Sequence, residues 1–534
     1  MKSLPFAAAL ALAFVFASGC ATLPSGIKGE ATPHQHGADA EAGHDEAALH
    51  GGMAGDAPHE QLGMQRPRFP PASGSVPSAE DAQSLEEVPR LAILNDTKFN
   101  PANGVRSGSG TLDDPYVISG YYVTGDLYLG DTDACVVIAE NYVDGQLTLN
   151  WNNQCVHVHH NFIRDLRVNE NIARTGMPTG GLIELNEIVV VGQIRHYDGE
   201  FRNNVVGPFV PNDLADEVLH EHPLPFLQVN DPVVLNIDGW NQALFHHNTI
   251  TGSVDLDLHG HHHGTGFLAP HSHNHGDDQA RTTHTEDHTN RWSAVSVTDN
   301  KIVDLAGYGL RYDDQAHAGD DRTAASETVE ALENDHQHHV KVEILRNELT
   351  GAGIWIDVFG ADDERHKVPN PGLVTVADNT IKLQKRDDGM FGLSTFGTGF
   401  QSNTGIWVMA VKEVEFRIER NTISWSDATQ ASPVKPISDL LPGLFAQEAE
   451  PMAIYLDRAD LARITVADNT ASGVAYGVRA SQFGEDALWA VYGNDFQAQH
   501  PIYWDDSVTV EPQEEPFAEP AEPESSEASE HHGK

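Results

Sequence analysis

The sequence predicts an all-β solenoid, and three observations predict it. Short β-patterned runs end again and again in Asn-x-aliphatic, a second five-residue pattern follows many of those asparagines, and the body of the chain has no helical periodicity. A repeat that cannot bury its own apolar face has to stack on its neighbours.

The first pattern runs through Asn141-Tyr-Val143, Asn161-Phe-Ile163, Asn186-Glu-Ile188, Asn248-Thr-Ile250 and Asn300-Lys-Ile302. It continues through Asn347-Glu-Leu349, Asn379-Thr-Ile381, Asn421-Thr-Ile423, Asn469-Thr-Ala471 and Asn494-Asp-Phe496. Apolar residues stand five and three positions earlier, as Val295 and Val297 do before Asn300, which marks one inward face of a strand entering a polar turn. The second pattern is small-aliphatic-x-aliphatic-Asp, seen in Val234 to Asp238, Ser253 to Asp257, Gly309 to Asp313, Gly353 to Asp357, Ala453 to Asp457 and Pro501 to Asp505. Gly405 to Met409 and Gly477 to Ser481 match except at the last place. Bare spacings of 19 residues (234 to 253) and 24 residues (453 to 477) hold three short strands and their turns, too little for a βαβ unit with its helix.

These motifs resemble the right-handed parallel β-helix repeat family. The segment Gly108-Ser-Gly-Thr-Leu-Asp-Asp-Pro-Tyr-Val-Ile118 looks like the first turn of its NosD-like members, which serve nitrous-oxide-reductase maturation, and pectate-lyase-like enzymes share the fold. The resemblance spans about 105 to 508. It implies a right-handed parallel β-helix of about twelve coils, roughly 55 Å long at about 4.8 Å per coil, with the asparagines stacked in an internal ladder. Function does not follow from this fold.

The 534 residues divide into four expected parts. Residues 1–20 have Lys2, an apolar run from Phe6 to Phe16, and Ala17, Ser18 and Gly19 directly before Cys20, which reads as a secretory signal. Small residues before a cysteine resemble a prokaryotic lipobox, implying acylation of Cys20 and an exported, lipid-anchored protein; an ordinary cleaved signal is the alternative. Residues 21–88, with scattered His34, His36, His44, His50, His59, Met53 and Met64, read as a disordered tether. Residues 89–508 are the β-helix, whose end is capped by the segment before Tyr116, and 509–534 a disordered acidic tail. A formal charge of −47 from 32 basic and 79 acidic side chains excludes nucleic acid as the expected partner.

Four intervals of the second pattern exceed one coil, and the excess falls in inserts from His259 to Asn290, Asp314 to His339, Leu383 to Asn403 and Ser424 to Glu450. They flank one face, making it a walled groove. On its floor, position 3 reads Asn236, Asp255, Arg311, Trp355, Trp407, Tyr455, Arg479 and Tyr503; position 5 reads Asp238, Asp257, Asp313, Asp357, Met409, Asp457, Ser481 and Asp505. Trp355, Trp407, Tyr455 and Tyr503 are candidate sugar-binding rings, and the aspartates bind hydroxyls or Ca²⁺. In pectate-lyase-like relatives an arginine takes the α-proton beside Ca²⁺, so the resemblance offers Arg311 next to Asp257 and Asp313 as a lyase site. Direct hydrolysis would use paired aspartates such as Asp313 and Asp357. The plain alternative is that inserts cover the rings and the aspartates close strand ends.

Thirty histidines form a second site hypothesis. His259, His261, His262, His263, His271, His273, His275, His284 and His288 crowd one Gly- and Asp-rich stretch, with His317, His336, His338 and His339 in the next insert. Neutral imidazoles at that density bind Cu²⁺ or Zn²⁺. The leading expectation is therefore a lipid-anchored β-helix that binds transition metal, and the alternative is one that binds or cleaves polysaccharide. Finally, Cys135 and Cys155 each lie six residues before a ladder asparagine, hence one coil apart, which predicts an outward-facing disulfide. The rival is a metal thiolate, because Cys155, His157 and His159 alternate onto one face.

Overall fold

The computed structural model describes residues 69, 72–152, 155–171, 181–207, 233–239, 242–258, 293–304, 309–313, 340–358, 372–386, 403–410, 414–430 and 450–517. Cys20, the tether to residue 68, the histidines from His259 to His288 and those of 314–339 lie outside them. The described chain is a right-handed parallel β-helix, nearly all strand, in which every strand pairing is parallel.

Each coil repeats one path. A strand of the first sheet, such as Ser293–Thr298, runs into a turn residue and a ladder asparagine; a short strand of the second sheet follows (Lys301–Val303), and then the strand of the second pattern (Leu310–Asp313). In the first sheet Gln242–His246, Ser293–Thr298, Val340–Leu345 and Gly372–Ala377 lie side by side in parallel register. Alternation places Val295, Val297, Ile302, Leu310 and Tyr312 in one continuous apolar core, each at most 1% exposed.

The asparagines do form a ladder. Asn300 donates Nδ2 to Asn347 Oδ1 at 3.0 Å and to Phe245 O at 2.8 Å, and its own Oδ1 accepts from the backbone N–H and the Nδ2 of Asn248. The same links join Asn141, Asn161, Asn186, Asn204 and Asn248, and continue through Asn379, Asn421 and Asn469 to Asn494. Asn204 is a further member beyond the ten named above: Asn204-Val-Val206 fits Asn-x-aliphatic, with Gly199 five positions earlier, as Gly181 stands before Asn186. The residue before each ladder asparagine is left-handed: Glu140, His160, Leu185, Asn203, His247, Asp299, Arg346, Asp378, Arg420 and Asp468 all have φ between 52° and 59°, and Gly493 has φ 66°. That conformation costs roughly 1–2 kcal/mol in a non-glycine residue, and the ladder hydrogen bonds hold it in place.

The small first place of the second pattern has an equally local reason. A Cβ on Gly309 would meet Gly353 O at 2.1 Å, and one on Gly353 would meet Gly405 O at 2.3 Å, so successive backbones pack there without side chains.

Both ends differ from expectation. The segment before Tyr116 is more than a cap: Glu86–Val88 and Leu91–Ile93 pair with Tyr121–Val123 and Leu127–Leu129 and so start another turn of the second sheet. They follow a one-turn helix, Ala79–Ala82, closed by a Ser78/Asp81 capping box. At the other end the chain does not leave the rod at 508, because Gln513 bridges Ala490 and Val510 O accepts the Trp489 Nε1–H at 2.8 Å. The inward places of the last described coil are exposed, Ile502 and Trp504 at 40% each, since among the described residues no further coil covers them.

A disulfide joins Cys135 and Cys155, with Cα atoms 4.5 Å apart on strands paired Val136 to Val156. Cys155 is thereby no thiolate ligand. Cys135 lies outside the apolar core yet is buried at 8%, its N–H donating to Gly110 O.

Candidate functional site

The face formed by the second pattern keeps one backbone register while its residues change. Asn236, Asp255, Arg311, Trp355, Trp407, Tyr455, Arg479 and Tyr503 are successive partners across eight coils. Asp238, Asp257, Asp313 and Asp357 form a second column of in-register Cα positions, of which the Asp357 side chain is described and half-buried. The described residues stop at Leu258, Asp313 and Val358 and resume at Val233, Asn403 and Glu450, so the expected inserts adjoin these strands in sequence and lie largely outside the described residues. Two begin later than expected, since strands extend to Arg386 and Gln430.

Trp355, Trp407 and Tyr455 pack into one cluster instead of a row of exposed platforms. Trp407 is 3% and Tyr455 7% exposed; together with Met452 they make a small apolar cluster flanked by Trp355, Met409 and Tyr476. Their side chains leave the main core as alternation requires, but flat rings one coil apart shield each other. Trp355 meets Trp407 edge-on at 4.6 Å between centroids and stays half-buried, and Tyr503, on the last coil, is 38% exposed. Tyr476 stacks on His500 at 5.0 Å and lies 5.5 Å from Tyr503, which adds two rings that the five-residue pattern does not include.

Within the column, cations flank the run Trp355, Trp407 and Tyr455 on both sides. The Arg311 guanidinium sits 5.3 Å from the Trp355 ring centre, and that of Arg479 lies 5.6 Å from Tyr455 and 5.4 Å from Tyr476. Arg311 pairs in register with Asp255 and Trp355, two residues along the strand from the Asp257 and Asp313 column with which a lyase reading groups it. Asp457 is the extra residue of a bulge, Met409 pairing with Arg458, and its Oδ1 accepts the Tyr455 hydroxyl at 2.7 Å. Burial, with this carboxylate holding the proton, pushes the Tyr455 phenol up to about 12.

The outer side of the first sheet holds a second polar group that the sequence reading touches only at His157 and His159. Its register columns set His157 beside Leu182 and Glu200, and His159 beside Glu184, Arg202 and His246. Glu184, 6% exposed, accepts from His157 Nε2 at 2.9 Å and from Arg202 Nε at 2.9 Å, while Arg202 also donates to Glu200 at 2.7 Å. Phe69 covers His157 at 4.8 Å. Burial pushes the Glu184 carboxyl up, but the bonds from His157 and Arg202 outweigh it and leave the group below the usual range. Burial, reinforced by His157 and His160, brings His159 down to about 4. The sequence signal for this region is the tripeptide His-His-Asn, which occurs at His159 and again at His246. Among the described residues no three His, Cys, Asp or Glu side chains converge on a common point.

Fold and faces define a β-solenoid with one aromatic and one histidine-bearing outer surface. No protein-family model, no curated protein and no solved structure matches the chain.

Proposed function

We propose that this is a cell-surface β-helix, exported and lipid-anchored through Cys20, whose second-pattern face binds an extended polysaccharide. The observation behind the reading is the unbroken column from Arg311 through Trp355, Trp407, Tyr455 and Arg479 to Tyr503. Half-exposed rings present flat apolar surface to the apolar face of a sugar, and the two guanidinium groups suit carboxylate or sulfate substituents. The buried rings beneath, Trp407 and Tyr455, keep Trp355 and Tyr476 in place, as a binding platform requires. An acidic glycan suits this face best, since Arg311 and Arg479 are cations set against the ring faces, while Asp457 is engaged by the Tyr455 hydroxyl.

Affinity electrophoresis against acidic and neutral polysaccharides tests this. Retardation by an acidic glycan that is lost in Trp355→Ala and in Arg479→Gln supports the reading, and equal mobility of wild type and both variants on every glycan overturns it. Release of unsaturated uronides, followed by their ultraviolet absorbance, would turn the binder into a lyase.

A second reading, transition-metal capture, is favoured by the nine histidines between His259 and His288. Retention on a chelated-copper column that disappears when those nine are replaced by serine supports it; unchanged retention assigns the metal elsewhere on the chain.

A further inference from the structure

Consecutive residues of a strand project to opposite faces, so two neighbouring histidines ordinarily do not meet. At His159 and His160 they do. The left-handed φ of 53° at His160 turns the chain into the ladder, and the two Nδ1 atoms come to 3.0 Å. The arrangement recurs at His246 and His247, where φ is 56° at His247 and the Nδ1 atoms are 2.8 Å apart. In both places the next residue is a ladder asparagine, Asn161 or Asn248, so the backbone on which the pair sits is fixed by buried hydrogen bonds. The other ladder turns have no such pair: the corresponding residues are Glu184 and Leu185, Thr298 and Asp299, or Leu345 and Arg346, for example.

Imidazole nitrogens bound to one metal lie about 2.0–2.1 Å from it, so separations of 3.0 and 2.8 Å correspond to an angle of roughly 90° at the ion. That is the cis angle of a square-planar or tetragonal site, the preference of Cu(II) and Ni(II), and it is tighter than the tetrahedral angle of Zn(II). One Nδ1–H of each pair donates to the other Nδ1; once that proton sits on Nε2 of its own ring, a small rotation of each ring turns both Nδ1 lone pairs toward a shared ion. The rod scaffold supplies the preorganisation, and the remaining positions are left for water or an outside ligand.

We propose that the two His-His-Asn turns are bidentate Cu(II) sites, one formed by His159 and His160 and the other by His246 and His247. The proposal does not depend on the glycan reading, and it places metal on the rod itself, apart from the histidines of 259–288.

The test uses the full chain with the nine histidines from His259 to His288 replaced by serine, titrated with Cu(II) in a glycine-containing buffer that competes for loosely held ion. Two equivalents are expected to remain, with one lost in His160→Asn, one in His247→Asn and both in the double variant. Asparagine tolerates the left-handed turn, so these changes remove the imidazole and keep the backbone. In the same serine-replaced chain, two equivalents of Cu(II) should protect His160 and His247 from carbethoxylation, read residue by residue by mass spectrometry. The proposal is overturned if copper stoichiometry is the same in all four proteins, or if copper binds while the labelling of His160 and His247 is unchanged.

Discussion

The ladder corner and the second-pattern face belong to the same coils, yet they obey opposite rules. From Asn141 to Asn494 the corner repeats one residue, one left-handed turn and one set of hydrogen bonds. Across the rod, a backbone equally regular in pairing displays Asn236, Asp255, Arg311, Trp355 and so on, with no repeat of chemistry. An asparagine side chain sealed in the interior has donors and an acceptor to satisfy, and its neighbours in the stack are what satisfies them, so the solution repeats coil after coil. An outward side chain has no such obligation. Variation on a constant backbone is therefore where a ligand can be read, and repetition is where the fold is specified.

The largest expected effect breaks the corner. Asn300→Ala removes the partners of the buried Asn248 N–H and Nδ2 and of Phe245 O. Each unsatisfied buried group costs about 1–3 kcal/mol, so urea denaturation should show a loss of about 4–6 kcal/mol. Asn494→Ala, at the less buried end of the ladder, should cost about 1–2 kcal/mol, because water reaches the groups it abandons. Equal costs at the two positions would mean that the ladder is not a buried cooperative element.

The next effect lies on the variable face and divides it. Trp407→Ala should cost about 3–4 kcal/mol, as a buried large side chain does, while Tyr503→Ala on the exposed last coil should stay within about 0.5 kcal/mol. Chemical denaturation of both variants measures this directly, and Trp407→Ala no worse than Tyr503→Ala would show that the ring stack is not shielded.

How far the sequence is legible follows the same division. The solenoid, the ladder and the coil-to-coil register can be read because inward Val295 and Val297 and their equivalents must alternate, and because one asparagine solves one interior problem ten times over in the pattern. Outward direction is legible at Trp407; its burial is not, because that depends on Trp355, Tyr455 and Met452 arriving from other coils. The Glu184, Arg202 and His157 network escapes the repeat pattern for the same reason, since its members come from three separate coils and match no common motif. Arg311 is legible as a member of the face, but its place over Trp355 requires the neighbouring strand.

Between these extremes stands the crosslink of two adjacent coils. Cys135 and Cys155 are 20 residues apart, and closing a loop of that size constrains the unfolded chain by about 3 kcal/mol. Reduction should lower the unfolding free energy by about that amount. Thiol titration of the unfolded, unreduced protein should find neither cysteine reactive; two titratable thiols would remove the bridge.

The smallest effect is a titration on the outer side of the first sheet, a surface unlike both others because it buries ionisable groups without repeating them. His159 is held at about 4 by burial and by His157 and His160, against 6.5 in the unfolded chain. Between those values the native state binds fewer protons than the unfolded one, so stability rises with pH across the window and is lost as pH falls from about 6.5 to 4. Allowing for partial solvent screening, the loss is about 2 kcal/mol. Glu184, whose carboxyl lies below its ordinary 4.5, contributes with the opposite origin but the same direction: its bonds to His157 and Arg202 stabilise the fold above that value and are lost as pH falls through the lower folded one. The two groups therefore act in overlapping windows, histidine from about pH 6.5 to 4 and glutamate from about pH 4.5 downward. His247, also lowered by burial and by His246, adds to the upper window. Urea unfolding of wild type and His159→Gln at pH 7, 5.5, 4.5 and 3.5 should give a shallower decline in the variant down to pH 4.5, by most of that 2 kcal/mol, with the fall below pH 4.5 retained. Parallel profiles would mean that His159 is protonated in the folded rod and that this outer surface is wetter than its packing indicates.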